Sequence, residues 1–236
     1  MPFSQSASVR NRLLSMLTAD DYNHLVPKLE RVSLPAQTPI IRAHQPIEHV
    51  HFLESGIVTT VAHTDAGRIE VGIIGREGVV GLPAILGADS APYTSQVQAE
   101  GAALRIATSD LSAALASRPS IFRPLGLFAH TLMIQLAQTA YANATFTIEA
   151  RLARWVLMTQ DRTDGDDLAM THGFLSAMLG VRRPGVTVAT HVLEGVGAIR
   201  AVRGRIVVRN RERLIHIAGS AYQVAEAEYA RVMTRL

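Results

Sequence analysis

Apolar positions change their period twice along this chain. Over residues 9–31 (VRNRLLSMLTADDYNHLVPKLER) they recur at helical spacing, which predicts one or two short helices, the second capped by Thr18 ahead of Asp20 and Asp21. From Val32 to about Thr108 the spacing turns to alternation, broken at short intervals by turn residues: Pro35, Pro39, Pro46, Ser55-Gly56, Asp65-Ala66-Gly67, Gly75, Gly78, Gly81 and Gly87. Short strands over His49–Phe52, Ile57–His63, Arg68–Ile74 and Ser95–Ile106 imply an antiparallel sandwich or roll. The helical period returns near Ser109 and lengthens after Pro119.

Residues 124–148 hold 25 positions without Asp, Glu, Lys or Arg. His130, Gln135, Gln138, Asn143 and four threonines within that run argue against a membrane span and for a long helix buried on more than one face. Leu125, Phe128, Leu132, Leu136 and Ala140 form a 3-4-4-4 seam. Pairing with a symmetry mate is the preferred reading of that seam, and packing on the protein's own sheet is the alternative.

A further helix, Glu149–Gln160, carries Leu152, Trp155 and Val156 on its apolar side, and the polar stretch Asp161–Asp167 after it reads as a hinge or interdomain joint. Thr171 then caps a two-turn helix with Phe174, Leu175, Met178 and Leu179 as its stripe, and Gly180 stops it. Arg182 and Arg183 lead into Pro184, suited to the first turn of a second helix. There Val186, Ala189 and Leu193 share one face, while Pro184, Thr187, Val188 and His191 point the other way. Ile199–Val208 reads as two strands around Arg203-Gly204, and a helical tail starts at Arg211. Helix, turn, helix and an Arg-tipped hairpin make a winged helix-turn-helix, whose second helix is of the kind that enters a DNA major groove.

Composition supports a well-cored globular chain: 236 residues, 48% apolar and 18% charged. Between Thr171 and Arg213 eight arginines face only Glu194 and Glu212, a local net charge of +6 within a total of +3, so the rest of the chain is slightly acidic. Such segregation is the footprint of a polyanion-binding module. Arg203 and Arg205 are candidate phosphate contacts on the hairpin, Arg182 and Arg183 candidate DNA contacts at the helix start, with Arg183 the better base reader. Thr171 is a cap first, with the helix amides behind it a candidate phosphate cradle. His191 is placed on the groove face.

Cysteine is absent, which removes disulfides, thiolate zinc sites and cysteine-held iron–sulfur clusters. His44, His49 and His51 lack an acidic or thiol ligand at metal spacing, so no metal is expected. Glu70, Arg76 and Glu77 are read as surface groups. No nucleophile elbow, P-loop or HExxH motif anchors an enzyme reading. The N-terminal MPFSQSASVRNRLLSML is too polar for a signal peptide's apolar core, which gives a cytoplasmic expectation.

Three blocks resemble the cyclic-AMP receptor and fumarate–nitrate regulator family, the Crp/Fnr transcription factors. Residues 39–86, PIIRAHQPIEHVHFLESGIVTTVAHTDAGRIEVGIIGREGVVGLPAIL, are similar to a cyclic-nucleotide-binding β-roll, with Gly56, Gly67 and Gly81 at its turns. The uncharged helix is similar to the family's central dimerisation helix, and LAMTHGFLSAMLGVRRPGVTVATHVLEGVGAIRAVRGRIVV to its winged helix. The resemblance implies an α+β chain with a jelly-roll-like sensor over residues 1–117, a dimerisation helix over 118–148 and a winged helix over 149–236.

It also implies a homodimeric transcription regulator on a pseudo-palindromic operator, with double-stranded DNA, a second copy and RNA polymerase as partners and no membrane. A ligand-sensing protein that acts by protein–protein contact is the alternative. The family's phosphate cassette places Gly-Glu where this chain has Gly81-Leu82, and its phosphate-pairing Arg falls near Tyr93-Thr94, with no Arg between Arg76 and Arg105. Leu136 and Ala137 also lack the hydroxyls that read the base. The expectation is weak or absent cyclic-nucleotide binding, no cofactor, and an effector pocket around Gly81, Leu82, Tyr93 and Thr94 that is vestigial or serves another small molecule. Arg183-Pro184 and Val188 stand where a frequent family pattern has Arg-Glu and a further Arg, so the half-site is expected to differ.

Overall fold

A computed structural model describes residues 9–64 and 67–234. The first eight residues of the N-terminal segment, and Asp65-Ala66 of one expected turn, lie outside the described residues. In chain order the elements are α1 (Arg12–Ser15), α2 (Ala19–Leu25), β1 (Glu30–Leu34), β2 (Pro39–Ile41), β3 (His49–Thr64), β4 (Gly67–Ile74), β5 (Val79–Val80), α3 (Leu82–Ile85), β6 (Thr94–Ala107) and α4 (Thr108–Ser117). Then follow α5 (Phe122–Thr145), α6 (Ile148–Gln160), β7 (Asp167–Ala169), α7 (His172–Leu179), α8 (Arg183–Gly195), β8 (Ile199–Val202), β9 (Arg205–Val208), α9 (Arg211–Ala218) and α10 (Val224–Met233). The chain divides into two compact units, one from Met1–Val58 and Ile74–Phe128, the other from Thr59–Ile73 and Ala129–Arg235.

β1 and β2 both pair antiparallel with β6, in the register Glu30↔Arg105 through Leu34↔Gly101 and Pro39↔Gln96, and the strand order of the sheet is β1-β6-β3-β4. Alternation drives this: Leu34, Ile41, Val50, Phe52, Val97 and Ile106 are buried, and α4 and the start of α5 add Leu111 and Leu125 to the same core. Thr18 caps α2 by accepting from the Asp21 amide, as expected. Asn11 caps α1, accepting from the Leu13 and Leu14 amides, while its own amide donates to the Leu53 and Gly78 carbonyls at 2.9 and 2.8 Å. One buried side chain thereby joins the first helix to the roll.

Two expectations need correction here. Ser55-Gly56 is not a reversal, because β3 runs unbroken through it. Gly56 sits at φ +81°, and a Cβ there would stand 2.7 Å from the Ala99 carbonyl oxygen, while one on Gly101 would stand 2.2 Å from that of Ser55. The glycines let two strands approach closely rather than turn. Glu70 and Glu77 are buried rather than superficial, Glu77 because its carboxylate accepts from the Gly75 amide at 3.1 Å inside the Gly75–Gly78 turn.

The long helix also differs from its expected seam. Leu125 and Phe128 are 2% and 3% exposed inside the first unit, the Phe128 ring lying where a Cβ on Gly78 would be. They are core residues of the protomer, so they are not available to a second copy. In the second unit Leu132 and Leu136 are half-buried beside Gly72 of β4, and Ala140 is exposed. The exposed stripe there is Met133, Ala137, Ala140 and Tyr141, which keeps Ala140 from the expected line and otherwise runs about 100° around the helix from it. The helix stops at Thr145 rather than Ile148, because Thr147 caps α6 by accepting from the Ala150 amide.

Within the second unit the Gln135 side-chain amide makes both backbone hydrogen bonds of Ile73, accepting from its N–H at 3.0 Å and donating to its carbonyl at 3.2 Å. Arg154 of α6, 2% exposed, donates to the Thr139 hydroxyl at 3.0 Å and the Gln135 carbonyl at 3.4 Å. Burial pulls its pKa down to about 10 against the opposing charge of Glu226, so the guanidinium stays charged. The run Leu152–Thr159 of α6 is buried on every side, making α6 the hub on which α7, α8 and α9 pack. Both ends of the Asp161–Asp167 stretch are tied down. Asp161 pairs with Arg211 at 2.7 Å and accepts from the Tyr222 hydroxyl at 2.7 Å, and Asp167 opens β7, which pairs with β9 in the sheet β7-β9-β8.

Candidate nucleic-acid interface

Thr171 caps α7 through its Oγ, which accepts from the Phe174 amide at 3.1 Å, and Gly180 ends it at φ +61° in the left-handed region. The side chain of Arg151 on α6 donates to the Leu179 carbonyl, satisfying the end of α7 from below. Leu175, Met178 and Leu179 are buried together with Val186, Ala189 and Leu193, which fixes the angle between the two helices. The same packing forces the opposite face of α8 outward: Arg182, Arg183, Pro184, Val188 and His191 are exposed, Val188 at 58%. Val192, which the sequence reading missed, is exposed on that face too. Thr187 is half-buried and its hydroxyl donates to the Arg183 carbonyl at 3.1 Å.

Three predicted contact groups adjoin. A Cβ on Gly173 would lie 3.4 Å from an Arg183 guanidinium nitrogen, so that side chain lies over the first turn of α7. The wing turn, Arg203-Gly204, has Gly204 at φ +75°, and the Gly204 carbonyl accepts from the Met170 amide at 3.0 Å, next to Thr171. Arg203 is exposed at the tip. Arg205 is not free: its guanidinium makes two 2.7 Å contacts with the Asp167 carboxylate. His172, the first residue of α7, is exposed and stands 3.5 Å from the Thr187 hydroxyl, another neighbour the sequence reading missed. No spacing rule marks it.

The expected effector residues all lie in the first unit. Gly81 is buried at φ +108° before Leu82, the half-buried first residue of α3; Tyr93 is exposed, and Thr94 accepts from the Ala43 amide at 3.4 Å. None of the four lines the open cleft of this unit, which lies between β1, β2 and the start of β3.

Comparison with known proteins follows the same division. Residues 31–118 match the model of the cyclic nucleotide-binding domain, and residues 150–217 match that of the Crp-like helix-turn-helix domain. The two segments take in more than half of the chain. It belongs to the Crp/Fnr family. Members of this family are transcription regulators, not enzymes. Its fold is that of TTHB099, a CRP-family regulator from Thermus thermophilus, at 18% identity, TM-score 0.70, over 81% of this chain and 98% of that one. FixK2 from Bradyrhizobium japonicum gives 19% and 0.70 over the same shares, and a Crp/Fnr protein from Eubacterium rectale 15% and 0.69 over 87% and 97%. Among curated proteins none matches this chain by sequence. No described helix is long and apolar enough to cross a membrane.

Proposed function

We propose that this Crp/Fnr chain is a cytoplasmic, homodimeric, sequence-specific DNA-binding regulator. The observation that carries the reading is the outward face of α8: Arg182, Arg183, Pro184, Val188 and His191 exposed beside the Arg203 wing tip, on a helix held from behind by three fully buried residues. Residues 149–236 are the reading domain, 118–148 the dimer helix and 1–117 the sensor. Two copies related by a two-fold axis read half-sites about 10 bp apart. The dimer seam is the exposed stripe Met133, Ala137, Ala140 and Tyr141, with Leu132 and Leu136 at its margin. Arg183 swings from α7 to a guanine edge, Val188 and the Thr187 methyl meet thymine methyls, and Thr171 and Arg203 hold phosphates.

A small-molecule effector in the sensor shifts the dimer between arrangements of its two α8 helices, and RNA polymerase is the partner on promoter DNA. Cyclic AMP is a poor effector, because Gly81-Leu82 and Tyr93-Thr94 supply neither a carboxylate for ribose hydroxyls nor a guanidinium for phosphate. DNA affinity measured against salt tests the reading. A steep fall with salt and a preference for one operator are expected; a flat salt response with no preference returns the winged helix to a protein-docking role.

A further inference from the structure

We propose that the cleft between β1, β2 and the start of β3 is a second small-molecule site, separate from the cyclic-nucleotide position, and that it takes a carboxylate carrying a short apolar body. The cleft encloses about 450 Å³; Leu34, Ile41 and Ile47 form an apolar wall, and Arg42, Arg105 and His51 face the same space. That volume lies in the range of sites that take small molecules.

His51 carries the assignment. It is 9% exposed, and its Nδ1 is shut off from solvent with no hydrogen-bond partner. Buried polar atoms are almost always paired in folded proteins, so an unpaired ring nitrogen at a cleft marks a position for a ligand atom. Burial, together with His49 and Arg105 nearby, pushes its pKa down to about 4. The ring is therefore neutral near pH 7 and offers a directional hydrogen bond rather than a charge.

The charge comes from the rim. Arg42 and Arg105 outnumber Glu48 among the lining side chains, which sets an anion preference. Arg105 is tied to Glu30 across the β1–β6 ladder at 2.7 Å, but Glu30 is largely exposed, and such a screened pair shares its guanidinium at little cost. A carboxylate seated there meets Arg105 on one side and His51 below, with its body against Leu34 and Ile47.

The rim is also fixed in advance. The amides of His44 and Ile47 donate to the Ala91 and Asp89 carbonyls at 2.7 and 2.8 Å, and Thr108 holds the Ile47 and Glu48 carbonyls at 2.6 and 2.9 Å. A pre-ordered rim lowers the ordering cost of capture. Among the described residues no three His, Asp or Glu side chains converge as metal ligands.

Calorimetry on the full chain with hexanoate and benzoate tests this, beside hexanol as a body without charge and inorganic phosphate as a charge without a body. Both carboxylates should saturate one site, with hexanol and phosphate at least about tenfold weaker. Arg105→Gln and His51→Phe should each weaken carboxylate binding by about tenfold or more, and the His51 ring nitrogens should shift during the titration. Arg105→Gln sits on the surface and carries the test if the His51 variant fails to fold. No carboxylate heat, binding unchanged in Arg105→Gln, or phosphate binding as tightly as benzoate would each overturn the proposal. The readout involves no DNA, so it stands or falls apart from the regulator reading.

Discussion

Val188 and Arg205 change most in meaning once their surroundings are visible. An exposed valine at the centre of a reading face offers only a methyl contact, so Val188→Ala should cost about 1 kcal/mol at the preferred operator and flatten one base position, seen by selection from a randomised half-site. Arg183→Ala should cost about 1–3 kcal/mol at a different position, and equal losses on specific and random DNA would remove it as a base reader. The wing arginines should separate. Arg203→Ala should lower the salt slope by about 1, whereas Arg205→Ala should do less, because Asp167 already offsets that charge. Asp167→Asn should then tighten binding to any DNA.

Among the elements, α5 and α10 make a checkable pair. Glu228 of α10 accepts from Arg231 and from His130 of α5 at 2.8 Å, and these bonds hold its pKa at about 2. A depressed carboxylate contributes stability that is present above its ordinary range and lost as pH falls towards the folded value. The melting temperature should therefore drop between about pH 4.5 and about 2, and Glu228→Gln should flatten that part of the profile. For the proposed dimer seam, Ala137→Glu should yield monomers in sedimentation, since a charge on a self-facing stripe would meet its own image. Leu193→Ala, by contrast, should cost about 2–5 kcal/mol of stability through the cavity it leaves behind α8.

For the whole molecule, what the sequence made legible was local. Alternation gave the roll, the 3.6 period gave both faces of α8, and Arg203-Gly204 gave the wing, each within a dozen residues. What it hid depends on distant partners. Asp167 meets Arg205 across 38 positions and Asp161 meets Tyr222 across 61, so both ends of a stretch that reads as a polar break are tied into the second unit. The phase of the seam was hidden for a related reason. A helix without charges has no polar stripe to mark its solvent side, and only the sheet packed on Leu125 and Phe128 decides which line is left over. Gly56 misled because a glycine needed for strand approach has the same letter as one needed for a turn.

The Gln135 clip on Ile73 has a kinetic consequence. An amide on the outer strand of a sheet normally trades its hydrogen for deuterium quickly, because only solvent holds it. The Ile73 amide is held by a helix side chain instead, so its exchange should follow the opening of α5. Gln135→Leu should speed exchange at Ile73 far more than at its neighbours, giving a single-residue timer for the long helix.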